Sequence, residues 1–274
     1  MTGCHAPRKP GLPRTSYRGA GGDVLRTAVV IPALNEAGTI LDLTKQAARH
    51  SELVVVVDDG SDDGTSEQLG GAPATVLRNS TRMGKAASLR RGIDFALEEQ
   101  VDAVVTMDGD GQHNPADIPR LITAAMGNPG TMIVGARLRQ RQCMPPARKF
   151  ANGMADFWIS WAAGYPIHDT QSGFRLYPTR LLQTLQVPHD TAHGFVFESE
   201  ILIEAAWRGH RAIPIAVDCN YRETLRASHY RPTQDTLRII RMVARRLIRR
   251  GMHPLGLLRS MGLMPASAAA RKRP

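Results

Sequence analysis

From Thr27 onward, short runs that are apolar at nearly every position alternate with stretches that are apolar every third or fourth residue. The runs are Ala28–Ile31, Leu53–Val57, Thr75–Leu77, Ala103–Met107 and Met132–Val134. Strands with no polar alternate position suit a parallel sheet covered on both faces. Between them, Ala86, Leu89, Ile93 and Ala96 fall on one helical face. Asn35 followed by Glu36 predicts a cap and an acid in the first turn of the next helix. Asn114-Pro115 predicts the start of a helix running to Ala125. Alternating strand and helix units predict an α/β domain built on a mainly parallel sheet.

After Pro232 the pattern is that of one long helix. At about 100° per residue, Leu237, Ile240, Val243, Ala244, Leu247 and Ile248 share a face, and Arg238, Arg241, Arg245 and Arg249 share another. Ile239 and Met242 fall outside the apolar face. A basic amphipathic helix of this kind suits an anionic membrane surface or, equally, a helix docked on the domain with its arginines in water. The nearest approach to a membrane span, Met154–Ile167, contains Asp156 and Pro166, so a spanning helix is not expected.

At 274 residues the chain has room for one large domain or two small ones. The boundaries read as a disordered basic arm (1–26), a globular domain (27–230), a helical extension (231–255) and a disordered tail (256–274). The arm lacks an apolar stretch and is not a secretory signal. Cys4, Cys143 and Cys219 are too few and too scattered for a disulfide framework or a zinc ribbon, which points to a reducing compartment. A cytoplasmic chain is expected, one that can sit peripherally on the inner face of a membrane. The net charge of +10 is concentrated outside the domain: residues 226–274 hold 12 Lys and Arg against Asp235 alone. Residues 27–225 carry 23 acidic and 18 basic groups. An acidic domain with 5% aromatic residues disfavours a nucleic-acid partner and a non-enzymatic RNA-binding protein.

Candidate chemistry collects where strands end. Asp108-Gly109-Asp110-Gly111-Gln112 follows the run ending at Met107. Ligands of open α/β sheets bind beyond the carboxyl ends of the strands. Two carboxylates and an amide oxygen are hard ligands suited to Mg²⁺ or Mn²⁺, which commonly bridges substrate phosphates. Gly109 would let a diphosphate approach the backbone. The same residues can also be no more than a tight turn. They are not an EF-hand, since His113 and Pro119 stand where that loop needs Gly and Glu. Asp58-Asp59-Gly60-Ser61-Asp62-Asp63 ends another strand, and its acids could accept from a nucleobase N–H, although Asp62 or Asp63 reads more simply as a cap. Pro32-Ala33-Leu34-Asn35-Glu36 ends a third. Three polar strand ends on one edge suggest a nucleotide–metal site. Asn79–Ala86 fails as a phosphate loop, because Asn79 and Ala86 replace its first glycine and its metal-binding hydroxyl. No G-x-G-x-x-G follows a strand.

These motifs, taken in order with Asn79…Gly84-Lys85…Gly92, Gly135-Ala136-Arg137, Arg148-Lys149, Asp169–Arg175, Gly194–Glu198 and Arg222 before Ser228, resemble family 2 glycosyltransferases over roughly residues 27–230. The branch they most resemble is the dolichyl/polyprenyl-phosphate hexosyltransferases. The resemblance implies a GT-A fold, a mainly parallel sheet flanked by helices. It implies that Pro32, Leu34, Glu36, Asp58 and Asp59 bind the base and ribose of a nucleoside-diphosphate sugar, and that Asp108, Asp110 and Gln112 hold the metal. Arg137, Arg148, Arg222 and Ser228 would then bind donor and acceptor phosphates. Asn152 stands where that branch usually has Ser, and Ser228-His229 where it commonly has Ser-Lys.

The implied reaction is metal-dependent, inverting transfer of a hexosyl unit to a membrane-associated acceptor, a polyprenyl- or dolichyl-type lipid phosphate. A glycan or soluble hydroxyl acceptor is the alternative. A hydroxyl would need a base, for which Asp169 and then Glu198 are candidates, whereas a phosphate is already an anion. A nucleotidyltransferase is the further enzymatic alternative, without the Gly-rich loop such enzymes usually carry.

Overall fold

The computed structural model describes residues 17–18, 24–138, 146–185, 194–219 and 232–265. Strands β1 (Tyr17–Arg18) and β2 (Val24–Leu25) form a small antiparallel pair inside the segment expected to be a disordered arm. The main sheet follows: β3 (Thr27–Ala33), β4 (Leu53–Asp58), β5 (Thr75–Arg78), β6 (Ala103–Thr106), β7 (Met132–Ala136), β8 (Arg175–Pro178) and β9 (Ala212–Ala216), in the order β5-β4-β3-β6-β8-β7-β9. All five apolar runs are strands, and β3 pairs in parallel with β4 and β6, as β4 does with β5. Sequence reasoning missed β8, which runs antiparallel between β6 and β7, and β9, which lies parallel to β7.

Successive residues of β3 point to opposite faces and into different cores. Val30 joins Val55, Val57, Leu89 and Ile93 on the face covered by α3 (Lys85–Glu98). Val29 and Ile31 join Val54, Val56, Leu43 and Leu121 under α1 (Ile40–Ala47) and α4 (Ile118–Gly127). Helix α3 lies so close to the sheet that a Cβ at Gly92 would come within 2.4 Å of Val30 Cγ1. The short α2 (Thr65–Gln68) follows β4, and α6 (Thr179–Thr184) follows β8.

The caps divide. Asn114 accepts from Ala116 N at the head of the 3₁₀ turn Pro115–Asp117 that leads into α4, as its sequence predicts. Asn35 does not cap α1. It adopts a left-handed conformation (φ 58°), Thr39 occupies the cap position, and Glu36 lies ahead of the helix. Asn35 is instead used to join two loops: its N–H donates to Ser61 Oγ and its Oδ1 accepts from Asp62 N.

Helix α5 (Pro146–Ala163) packs against α7 (Gly194–Trp207), against α8 (Pro232–Arg249) and against α9 (Pro254–Ser260). The expected apolar face of α8 is corrected here. Ile239, Met242, Val243 and Leu247 are buried, whereas Ile240, Ala244 and Ile248 face outward. Arg246 belongs to the buried face, where Glu200 and Glu204 of α7 neutralise it and Trp207 stacks against it. A charged residue on the docked side is what turned the helix away from its hydropathy pattern. Helix α9 also corrects the expectation that the chain is unstructured from residue 256. Among the described residues no helix is long and apolar enough to cross a membrane.

Candidate active site

The carboxyl ends of β3, β4 and β6 and the start of β8 share one edge of the sheet. The loops there are tied together by hydrogen bonds. Glu36 N donates to Thr65 Oγ1, Ala37 N to Asp63 Oδ2, and Thr39 Oγ1 to Gly109 O. Pro32 is buried, while Leu34 and Glu36 are half-buried beside it. A Cβ at Gly109 would lie 3.2 Å from Pro32 O, a tight contact, so the glycine also eases the packing of its own loop on β3.

Asp58 and Asp59 are buried and hydrogen-bonded inside the protein. Asp58 Oδ1 accepts from Ser61 N and Ser61 Oγ, and Oδ2 accepts from Ser66 Oγ. Asp59 accepts from Asn79 Nδ2, Ser88 Oγ, Met83 N and Gly84 N, which fixes the loop leading into α3. That loop delivers Lys85 to the site, a residue that the family motif includes but to which sequence reasoning gave no role.

Lys85 Nζ lies 2.6 Å from Asp108 Oδ1 and 3.2 Å from Glu198 Oε1. Burial acts against every charge here, and the partners decide the outcome. Despite burial, Asp108 and Glu198 hold the Lys85 ammonium above its usual range. Despite burial, Lys85, His113 and Arg137 hold Asp108 below the usual carboxylate range. Asp110 moves the other way, raised by burial and then by the charge on Asp108. Burial likewise raises Glu198, offset in part by Lys85. His113, which sequence reasoning also passed over, is driven down to about 4 by burial and is therefore neutral near pH 7. Its ring packs on Phe174, with centroids 5.2 Å apart. Gly173 makes room for Asp108, since a Cβ there would lie 2.7 Å from Asp108 Oδ2.

A third group comes from the loop before β8. Asp169, left-handed at φ 53°, accepts from Arg137 Nε at 2.8 Å, Arg137 Nη2 at 2.6 Å and Arg137 N at 2.7 Å. Against burial, those bonds and the arginine's charge hold the Asp169 carboxyl below the usual range. Asp156 of α5 holds the loop in turn, accepting from Thr170 N and Thr170 Oγ1. The fully buried Arg175 donates to the carbonyls of Thr170, Ser172 and Glu198.

The residues present fit a divalent cation. Among the described residues no three His, Cys, Asp or Glu side chains form a complete metal cage. The pair Asp108 and Asp110, with Gln112 whose N–H donates to Asp110 Oδ1, is instead the sparse oxygen set that a Mg²⁺ or Mn²⁺ ion shares with phosphates and water. Arg148 lies on α5. Arg222 and Ser228 fall outside the described residues. Cys219, three residues before Arg222, is bridged to His113 beside the site.

Comparison with known proteins agrees with this architecture. The family model described as Glycosyl transferase family 2 matches residues 28–204. The undecaprenyl-phosphate mannosyltransferase of Micrococcus luteus is 27% identical over 73% of this chain and 85% of its own length. The polyprenol monophosphomannose synthase of Mycolicibacterium smegmatis is 26% identical over 77% and 86%. Glucosyl-3-phosphoglycerate synthase from Mycobacterium tuberculosis, solved with Mn²⁺, UDP and glucosyl-3-phosphoglycerate, shares the fold. Its TM-score is 0.57 at 22% identity, covering 82% of this chain and 80% of that one.

Proposed function

We propose a reaction on the premise that this chain belongs to glycosyl transferase family 2 and is a glycosyltransferase similar to polyprenyl-phosphate sugar transferases. The reaction is inverting transfer of a hexosyl unit from a nucleoside-diphosphate sugar to a polyprenyl- or dolichyl-type lipid phosphate at a membrane surface. The observation that carries it is Asp108 and Asp110 beyond the end of β6, in one cluster with Lys85 and Arg137. The names of the relatives supply the acceptor class.

Breaking the C1–O bond of the donor leaves a diphosphate whose growing negative charge must be stabilised. A divalent cation held by Asp108, Asp110 and Gln112 would supply Lewis-acid stabilisation of that diphosphate. Lys85 keeps Asp108 ionised. Arg137, oriented by Asp169, presents a guanidinium to phosphate oxygens, with Arg148, Arg222 and Ser228 assigned to the same task. Pro32, Leu34 and Glu36 border the base and ribose, and Asp58 and Asp59 shape that border through the loops they fix. A lipid phosphate attacks as an anion and needs no base. With both its oxygens on Arg137, Asp169 serves as a positioning residue in this scheme.

A thermal-shift screen of GDP- and UDP-sugars with Mn²⁺ tests the donor, since a ligand of the native state raises its melting temperature. Transfer assays then compare a short-chain polyprenyl phosphate with soluble hydroxyl acceptors. Stabilisation by one nucleotide sugar and transfer to the phosphate, with no acidic limb in the pH–rate profile, is the expected result. Transfer to hydroxyls alone, with such a limb, overturns the acceptor assignment.

A further inference from the structure

Helices α8 and α9 both pack on α5, and all three helices leave large apolar side chains in water. On α5, Phe150, Met154 and Phe157 recur at helical spacing, and Phe150 is 72% exposed. On α9 and its C-cap, Leu255 is 51% and Met261 56% exposed, with Leu258 between them. On α8, Ile240 and Ile248 point outward, although neighbouring positions supply a well-packed inner face. A protein this size seldom exposes so many large apolar side chains in one region without a partner for them.

The hairpin that carries α9 is held firmly. Trp161 Nε1 donates to Met252 O at 3.0 Å, and Gly164 and Gly256 leave room for the His253 ring. The exposed side chains are therefore presented by a fixed scaffold. Trp158 and Trp161 stack with centroids 5.2 Å apart, beside Phe157. Half-buried tryptophans with one polar end suit the boundary between hydrocarbon and water. The charge beside them is of one sign. Arg241, Arg245 and Arg249 are exposed on α8 next to the Ile240 and Ile248 stripe, in contrast to Arg246, which α7 neutralises.

We infer that the outward faces of α5, α8 and α9 form a docking surface for an anionic lipid bilayer, entered by Leu255, Leu258 and Phe150 and held by Arg241, Arg245 and Arg249. Of the apolar face of α8 expected from sequence, the domain covers Val243 and Leu247, while Ile240, Ala244 and Ile248 stay outward as part of this surface. It deepens the lipid-acceptor reading and rests on it for its purpose. Asp156 of α5 is buried and holds the loop before β8, so the helix that meets the membrane also braces the site.

The test is flotation of the full chain with phosphatidylcholine vesicles, with and without phosphatidylglycerol, together with tryptophan emission. The expected result is salt-sensitive binding to the anionic vesicles and a blue shift. Leu255→Asp with Leu258→Asp should weaken partition at least about ten-fold. Arg241→Ala, Arg245→Ala and Arg249→Ala should cost about five-fold each on anionic vesicles only. All four variants should melt like the parent and keep its transfer rate to a short-chain acceptor in detergent. Equal flotation of parent and Leu255→Asp/Leu258→Asp, or no preference for anionic lipid, overturns the surface. So does a vesicle-independent dimer that the two leucine substitutions dissociate. Flotation as expected with no transfer in detergent leaves the surface standing and removes the proposed reaction, which separates the two.

Discussion

Asp58-Asp59 and Asp108-Gly109-Asp110 both follow a buried strand, and both face the same edge of the sheet. Their partners differ. Asp58 accepts from Ser61 in its own loop and from Ser66 of α2, apart from an outlying contact with Arg78 at 3.5 Å. Asp59 accepts from amide, hydroxyl and backbone donors of the loop before α3 and of α3 itself. Asp108 meets an ammonium, and Asp110 is raised by burial and the charge of its neighbour. Carboxylates saturated by neutral donors hold a fold together, whereas carboxylates set against charges hold a field for a ligand. On the proposed function, the same residue type at equivalent strand ends divides into scaffold and chemistry.

The largest effect that can break this comparison lies at Asp108. Asp108→Asn should reduce turnover at least about a hundred-fold, the usual consequence of losing one preorganised electrostatic contact, while the protein still melts within a few degrees of the parent. Steady-state kinetics beside calorimetry measure both. A variant with near-parental transfer would end the distinction.

Asp59→Ala should do the reverse. It strands the buried donors of Asn79 and Ser88 and the partly buried backbone N–H groups of Met83 and Gly84. A loss of about 3 kcal/mol is expected, which for a chain of this size lowers the melting temperature by about 6–12 °C. At a temperature where the variant is folded, turnover should fall far less than in Asp108→Asn. A hundred-fold loss in a fully folded Asp59→Ala protein would place Asp59 on the chemical side.

Asp169 stands between the two classes, since it is a scaffold for a charged group. Asp169→Asn should lower kcat/KM about ten-fold by loosening Arg137. It should also change the acid limb of stability. Because the folded carboxyl is held below its ordinary range, its ion pair contributes fully above about pH 4, and the contribution is lost as pH falls through the lower folded value. Melting curves from pH 6 downward should therefore be shallower in Asp169→Asn than in the parent.

This division explains what the sequence made legible. Strands covered on both faces are apolar throughout, so β3 to β7 stood out. β8 did not, because Arg175 begins it and is buried against carbonyls supplied by residues 170, 172 and 198. The Asp108-Gly109-Asp110 motif is local and was readable. The Lys85–Asp108–Glu198 cluster spans more than a hundred residues and became visible only in the fold. The outward turn of α8 was hidden for the same reason, since it depends on Glu200 and Glu204 of another helix.

The smallest expected effect sharpens the comparison most economically. Asp62 lies in the same acidic loop as Asp58 and Asp59, but its carboxylate is exposed, and the loop uses its N–H rather than its side chain, through Asn35 Oδ1. If position in an acidic cluster were what mattered, Asp62→Ala would resemble Asp59→Ala. If the donors that each carboxylate meets are what matter, Asp62→Ala should stay within about 0.5 kcal/mol of the parent, with unchanged transfer. Chemical denaturation resolves that difference, and a loss approaching that of Asp59→Ala would show that the loop reads its own net charge rather than its individual hydrogen bonds.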